Sequence, residues 1–349
     1  MSRVYLAVAT RPGKYQGRTG ESGVCGAPGP VSSIDDSTTL PAYIKLLIVK
    51  QLSQEQLELV STLGERLGAI PGIKAVVLGG SHARGLAQPG SDIDLGIFYS
   101  EANPFSIESI QQLASDVNDT VEPVVTGFYE WGPWVNGGAW LTIAGQRVDF
   151  LYRSLEHVER VIGDAGAGRY ELDYAQQPPF GFFSGTYLGE VAISVPVVDP
   201  NACVQALKQR VAIYPEALRR SVVQNYLWAA EFGLGAFATK FASRTDTYGT
   251  AACLTRALNQ LVLVLFALNR KYLINDKTVL AEIDSLELAP REFGARAQRA
   301  FSTLGSSQGE LAAAVESIGR LLRECIELAD GLYQSRYNLG EVSGPLSSP

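Results

Sequence analysis

The stretch Val76-Val77-Leu78-Gly79-Gly80-Ser81-His82-Ala83-Arg84-Gly85, continued after a short loop by Ser91-Asp92-Ile93-Asp94-Leu95, decides how this chain is read. Ala75 to Leu78 is a short apolar run with two β-branched residues, the pattern of a buried strand. Gly79-Gly80-Ser81 turns that strand into a brief helix, Pro89-Gly90 stops the helix, and Asp92 to Tyr99 reads as a second strand. Gly80 and Ser81 therefore stand where a strand gives way to a helix start. There, unpaired N–H groups and the helix dipole attract an anion, and glycine lets a phosphate approach the backbone closely. Asp92 and Asp94 are two apart on a strand, so both carboxylates point to one face. Two such anions side by side are costly without cations, and Mg²⁺ prefers oxygen ligands of this kind.

Working outward, Ser53 to Ile70 carries Leu59, Val60, Leu63, Leu67 and Ile70 on one helical face, with Ser53 and Gln56 spaced as a capping box and Pro71-Gly72 as the stop. Ile107 to Val117 reads as a helix and Val121 to Val125 as a strand. Trp140 to Ile143, the turn Ala144-Gly145-Gln146 and Arg147 to Tyr152 read as a hairpin. That hairpin carries a third strand carboxylate, Asp149, flanked by Val148 and Phe150 and placed 55 positions beyond Asp94. Three strand carboxylates beside a phosphate seat are what a two-metal phosphoryl or nucleotidyl transfer requires.

The pattern Gly-Ser, ten intervening residues, Asp-Ile-Asp, and a later strand with Val-Asp-Phe resembles the DNA polymerase β-like nucleotidyltransferase superfamily. The fuller Gly80 to Gly85 and Ser91 to Leu95 string is similar to its small bacterial branch, which includes aminoglycoside nucleotidyltransferases. The stretch from Trp131 through Asp149 to Arg153, with Tyr214-Pro215 and Asn269 beyond it, resembles a two-domain branch. The motif resemblance spans about residues 74–153 and is loose beyond. It implies a palm-like mixed sheet, Mg²⁺ with ATP or another nucleoside triphosphate, and a helical domain that closes over the acceptor. Asp92, Asp94 and Asp149 would hold metal and carry the catalysis, with Asp149 helping to take the acceptor proton; Gly80, Ser81 and Arg84 would bind nucleotide. His82 stands where the family more often has Arg or Tyr. All three carboxylates are present, so a competent catalyst is expected.

The chain has 349 residues, against about 100 to 200 for a usual domain, which calls for one large or two ordinary domains. With 46% hydrophobic and 19% charged residues, it can build a real core. The longest uninterrupted apolar run, Leu261 to Leu268, falls far short of the ~20 residues that span a bilayer, so a soluble protein without membrane contact is expected. Net charge is −7, and residues 41–160 carry eight basic against fourteen acidic side chains. Such a body repels phosphate backbones and argues against sequence-blind nucleic-acid binding. It suits divalent cations and a cationic acceptor. The four scattered cysteines contain no C-x-x-C pair, which fits a reducing cytoplasm and argues against structural zinc.

The expected architecture is α+β: a polymerase β palm-like mixed sheet with flanking helices, followed by an all-α helical bundle. Residues 1–40 are Gly/Pro/Ser/Thr-rich and read as a disordered tail, 41–160 as the nucleotidyltransferase domain, 161–200 as an irregular linker, 201–335 as the helical domain and 336–349 as a flexible tail. Helices are expected over 204–213, 216–243 and 248–272, with a last one carrying Leu311, Val315, Ile318, Leu322, Cys325 and Ile326 on one stripe.

Together these features predict an enzyme moving a nucleoside monophosphate, most simply AMP from ATP, onto an acceptor hydroxyl with release of pyrophosphate. Two other readings compete: modification of a protein partner, as antitoxin-type nucleotidyltransferases do, and a non-catalytic nucleotide-binding scaffold. Paired aspartates also serve phosphatases and nucleases, which do not need the Gly-Ser seat. A Walker-type ATPase is excluded for want of its Gly-rich lysine loop. Individual residues carry plainer readings as well. Arg84 either contacts phosphate or pairs with a sheet carboxylate. His82 is a solvent-facing helix-start residue as readily as a nucleotide contact, and His157 is expected on a helix surface. The tryptophans of 131–140 stack on a ligand or pack between domains. Lys208 and Arg210 read as a solvated helix face before leaving-phosphate ligands, and no spacing selects Glu122 or Glu130 as a base.

Overall fold

The computed structural model describes residues 52–120, 122–177 and 180–336. The expected N-terminal tail and, apart from Arg336, the expected C-terminal tail lie outside the described residues.

Helix α1 (Gln54–Gly68) begins at the expected capping box: Ser53 Oγ accepts from Gln56 N–H, and the Gln56 side chain accepts in return from Ser53 N–H. It leads into β1 (Ile73–Leu78), the one-turn helix α2 (Gly80–Arg84) and β2 (Ile93–Tyr99). Helix α3 (Ile107–Val117), the two-residue β3 (Val124–Val125), β4 (Gly138–Ile143) and β5 (Gln146–Ser154) follow. Ala144 (φ 48°) and Gly145 (φ 79°) both adopt left-handed conformations, as a tight two-residue hairpin turn demands. Joined by β8 (Val195–Val198) from further along the chain, the strands form a six-stranded mixed sheet in the order β3-β4-β5-β2-β1-β8, in which β2 and β5 run parallel and all other neighbours antiparallel.

The two faces of this sheet differ in chemistry. One face presents Val76, Leu78, Leu95, Ile97, Val148 and Phe150, packed under Val60, Leu63 and Leu67 of α1 and Ile110 and Leu113 of α3. Leu95 and Phe150 are fully buried there, so truncating either to alanine costs about 2–5 kcal/mol. The other face presents Ala75, Val77 and Phe98 toward the rest of the chain.

That second face is covered by α4 (Leu155–Gly166) and by the segment 161–200, which is ordered into elements and not an irregular linker. Within 161–200 the structure holds a small ladder of β6 (Leu172–Asp173) and β7 (Phe182–Phe183), helix α5 (Thr186–Ile193), and the sheet's sixth strand β8 (Val195–Val198). Strand β8 hydrogen-bonds along β1 despite Pro196, which an edge strand tolerates. Its register and its packing against Gly64 and Gly68 of α1 are tertiary, and no period in Val195-Pro196-Val197-Val198 announces them. So the sheet draws a strand from beyond residue 160.

The helical region contains α6 (Cys203–Val211), α7 (Glu216–Phe232), a π-helical turn at Gly233–Ala238, α8 (Thr239–Ser243), α9 (Thr247–Leu268), α10 (Val279–Asp284), α11 (Phe293–Ser302) and α12 (Gln308–Leu328). The stripe foreseen on α12 is buried at Leu311, Val315, Ile318, Leu322 and Cys325. Helix α9 is long and apolar enough to cross a membrane by length and composition, and 67% of its apolar window is buried inside the bundle, as a central core helix requires. Asn269 ends it by accepting from Leu288 N–H and donating to the Leu265 and Leu288 carbonyls. The fully buried Glu231 carboxylate accepts from Arg336 N–H and from the Tyr333 and Ser335 hydroxyls, anchoring the far end of the described chain on α7.

One buried cation fastens the covering layer to the sheet. Arg153 of β5, 7% exposed, makes a two-pronged pair with Glu190 of α5: Nε to Oε2 at 3.0 Å and Nη2 to Oε1 at 3.2 Å. Its Nη1 donates to the carbonyls of Val135 and Tyr152, and the guanidinium lies 5.5 Å from the Tyr187 ring centroid. Removing one partner strands the other charge in a poorly solvated place. We expect Arg153→Ala to lower unfolding stability by about 2–4 kcal/mol, measured by urea titration, with Arg153→Lys recovering only part because lysine lacks the fork.

Candidate active site

The site is assembled at the β1–α2 turn. Gly79 N–H donates to Asp94 O at 2.8 Å, continuing the β1–β2 ladder up to the turn. Gly80 then takes φ +58°, and a Cβ placed on it would lie 1.7 Å from Asp94 Oδ2. The Asp94 carboxylate thus rests directly on the Gly80 backbone, and only glycine leaves room for it. The first N–H groups of α2 have no intrahelical carbonyl to bond, so the turn presents donors next to that carboxylate. Gly85 in the left-handed region (φ 75°) closes the helix after one turn.

Asp94 and Asp149 are direct register partners on the parallel strands β2 and β5, so their side chains leave the same face one strand spacing apart, about 4.8 Å. Burial, and then the neighbouring Asp92, push the Asp94 pKa up to about 6. Burial, followed by Asp94 and Asp92, pushes Asp149 up to about 7. Asp92 lies just before β2, with Arg147 Nε 2.6 Å from its Oδ1. This is a contact at ion-pair distance without a directed hydrogen bond, and that oxygen is otherwise enclosed with no donor. Arg147 also donates to Gly90 O at 2.8 Å and Gln146 to Ser91 O at 3.0 Å, so the start of β5 holds the loop before Asp92.

Among the described residues, no group of three Asp, Glu, His or Cys side chains stands at metal-holding distance. Asp94 and Asp149 face one another while Asp92 is turned to Arg147. The donor chemistry nevertheless suits a hard divalent cation: all-carboxylate oxygens, two of them held well above their ordinary pKa by burial and mutual repulsion, and a third without a directed partner.

Other expected residues have different places. Arg84 does not meet a sheet carboxylate; its Nη2 pairs at 2.7 Å with Glu282 of α10, both side chains largely buried. His82 is only 9% exposed, and neither ring nitrogen has a hydrogen-bond partner, so it is not a solvent-facing residue; burial lowers its pKa. His157 is likewise buried on the inner face of α4, edge-on to Trp134 at 5.2 Å between ring centroids, and burial with nearby Arg160 brings its pKa to about 4. Lys208 is neither a solvated face nor a phosphate ligand; its ammonium donates to the carbonyls of Val191, Ala192 and Ser194 and caps the end of α5. Arg210 is exposed, as are Glu122 and Glu130. The tryptophans divide: Trp134 packs between the sheet and helices against Phe182, while Trp131 and Trp140 stack on one another with Trp140 38% exposed.

Sequence reasoning missed Lys277. It sits on the loop before α10, close enough to both Asp94 and Asp149 to pull their pKa values down, and is the cation that the helical region brings to the carboxylate pair. That loop is tied back to α2: Thr278 Oγ1 donates to Glu282 Oε1 at 2.6 Å, and Glu282 holds Arg84. A basic residue in a helix-connecting loop carries no motif that would have singled it out.

With this geometry in place, comparison with known proteins is informative. Residues 58–164 match the family model described as nucleotidyltransferase domain, and residues 184–277 match that of a domain of unknown function, DUF4037. The front of this chain is therefore a nucleotidyltransferase domain of the polymerase β-like type, which makes the protein a transferase. More particularly, the match to the nucleotidyltransferase domain is followed along the chain by the match to the DUF4037 model. Among solved structures it is similar to a nucleotidyltransferase-like protein from Exiguobacterium sibiricum 255-15, at 11% identity and a TM-score of 0.41, over 79% of this chain and 78% of the other. The Thermotoga maritima CCA-adding enzyme in complex with tRNA is similar at 14% identity and a TM-score of 0.31, over 85% and 70%. No curated protein matches the chain.

The raised carboxylate pKa values have a consequence for stability. A carboxyl that is harder to ionise folded than unfolded binds more protons in the native state, so stability falls as pH rises from the unfolded value near 4 through about 7. We expect Asp149→Asn to be more stable than the parent above pH 7, on the order of 1–2 kcal/mol, with the difference vanishing below about pH 4. Thermal melts across that range check it; a gain that persists at pH 4 would assign the effect to packing.

Proposed function

We propose that this protein is a Mg²⁺-dependent nucleotidyltransferase of the cytoplasm that moves a nucleoside monophosphate, AMP from ATP in the simplest case, to a hydroxyl of an acceptor. The observation that carries this reading is the in-register pair Asp94–Asp149 on adjacent parallel strands, with the Gly80 backbone pressed against Asp94. Nucleotidyl transfer needs an anion seat beside metal-holding carboxylates, and the Gly80 turn next to this pair supports that reading.

The roles follow from position. The turn at Gly80 and Ser81 offers backbone donors and the Ser81 hydroxyl to the triphosphate tail. Lys277 faces the same carboxylates from the helical side and offsets charge there. Asp92, Asp94 and Asp149 are the residues that would hold divalent cation, Asp92 by exchanging its contact with Arg147 for one with metal. When bound there, Mg²⁺ neutralises developing charge on the phosphates and makes a hydroxyl easier to deprotonate. The acceptor oxygen forms a bond to the α-phosphorus, the bond from that phosphorus to the β-phosphate oxygen breaks, and pyrophosphate leaves. The proton of the acceptor hydroxyl passes to the Asp149 carboxylate, the member of the pair farther from the Gly80 turn and so nearer the side from which the acceptor arrives. Arg84 helps indirectly by holding α2 through Glu282.

The test uses the full chain with ATP labelled at the α-phosphate, Mg²⁺ and a fractionated pool of small hydroxyl compounds and cell protein. We expect label on an acceptor with one pyrophosphate released per transfer, and a loss of ~10²-fold or more in Asp94→Asn with its fold intact. Tight ATP binding without pyrophosphate release on any fraction would overturn the reading in favour of a nucleotide-binding scaffold.

A further inference from the structure

The carboxylate row continues past Asp149. Across the antiparallel β4–β5 pair, Asp149 is the register partner of Trp140, and across β3–β4 Trp140 is the partner of Val124. Register partners share a face, so Asp94, Asp149, Trp140 and Val124 form one line across four strands. The line begins at the phosphate turn, because Gly79 bonds to Asp94, and it ends in exposed apolar surface: Trp140 is 38% and Val124 48% exposed.

The aromatic end is built. The Trp131 and Trp140 rings stack with centroids 4.7 Å apart and planes within 18°. Trp131 reaches that position by lying over Gly138, where an added Cβ would come within 2.9 Å of its Cζ3. Its backbone is fixed on both sides, N–H to Asn136 O at 2.8 Å and carbonyl accepting from Gln176 Nε2. The loop carrying it is held further by Tyr129 N–H to Asn136 Oδ1 and by Trp134 N–H to Gln176 Oε1. Two indoles are thus held rigid one strand from Asp149, with one of them open to solvent.

We propose that the Trp131–Trp140 shelf is the acceptor platform, and that the acceptor presents a ring face, of a sugar or a phenol, with its reacting hydroxyl beside that ring. This rests on the nucleotidyl-transfer reading. In-line displacement places the nucleophile opposite the leaving pyrophosphate; the phosphate turn lies at the β1 end of the row, so the nucleophile enters from the β4 end. One strand spacing, about 4.8 Å, separates Asp149 from Trp140, so a ring stacked on the indole carries a substituent hydroxyl over Asp149. Indole faces attract the apolar face of a ring and offer nothing specific to a flexible chain.

The experiment combines binding and turnover on the full chain. Methyl glucoside and N-acetyltyrosinamide are titrated as the sugar and phenol probes, with sorbitol as the open-chain control, while tryptophan emission is followed. We expect at least one ring probe to shift the emission, sorbitol to leave it unchanged, Trp140→Leu to lose the shift, and Trp228→Phe, in the helical region, to keep it. In transfer assays Trp140→Leu should raise KM for the ring acceptor about tenfold or more with ATP affinity unchanged, and Trp140→Tyr should restore most of it. Far-UV melts confirm that the variants fold. Emission insensitive to both ring probes, or an equal loss of ATP affinity in Trp140→Leu, would overturn the platform. A Trp140-dependent shift without transfer of label would uphold the platform and refute the transfer reading.

Discussion

Two carboxylates held side by side on a largely covered sheet face are the constraint around which the rest of this molecule is arranged. Parallel pairing of β2 with β5 sets Asp94 opposite Asp149, and no slip of one residue is tolerated, because it would send one of them into the apolar face beneath. That apolar face, clamped by α1 and α3, is what fixes the register. The hydrophobic layer on one side of the sheet therefore pays for the electrostatic tension on the other.

The covering layer has to close over these charges without quenching them. It does so with an arginine that is itself neutralised, Arg153 by Glu190, placed two pairs further along the same strand face as Asp149. The remaining cation, Lys277, sits at the end of a long flexible side chain on an exposed loop. Arg147 occupies Asp92 at the open rim, where a half-exposed ion pair holds little energy and is readily exchanged. The protein thus keeps its acidic row intact with one fixed and two displaceable positive charges.

Much of this was legible in the sequence. The Asp92–Asp94 spacing, the strand context of Asp149, the Gly-Ser turn and the Ser53 cap are local patterns whose physics acts within a few residues. So was the α+β division, because a period of two and then a long helical period survive without tertiary knowledge. What escaped depends on contacts between distant segments. The burial of His82 follows from which face of a five-residue helix meets the sheet, which so short a helix does not declare, while His157 sits beside the apolar stripe of Val158, Val161, Ile162 and Ala165 and is covered by Trp134 from a distant loop. Arg84 finds Glu282 nearly two hundred positions away, Lys208 finds the end of α5, and Val195–Val198 finds β1, in each case through packing that no spacing encodes.

The link between Arg84 and Glu282 also bears on how the two regions move. It joins the phosphate-side helix to the loop that bears Lys277, and both partners are shielded, at 14% and 21% side-chain exposure. Parting the regions by a few ångströms severs it and withdraws that lysine from the acidic row in the same stroke. The cleft beside it, about 960 Å³ between α2, α5 and α10, is where such opening would begin. Being shielded from solvent, this ion pair is little screened by salt, so the spacing between the turn at Gly80 and the Lys277 loop stays fixed at high ionic strength as well as low.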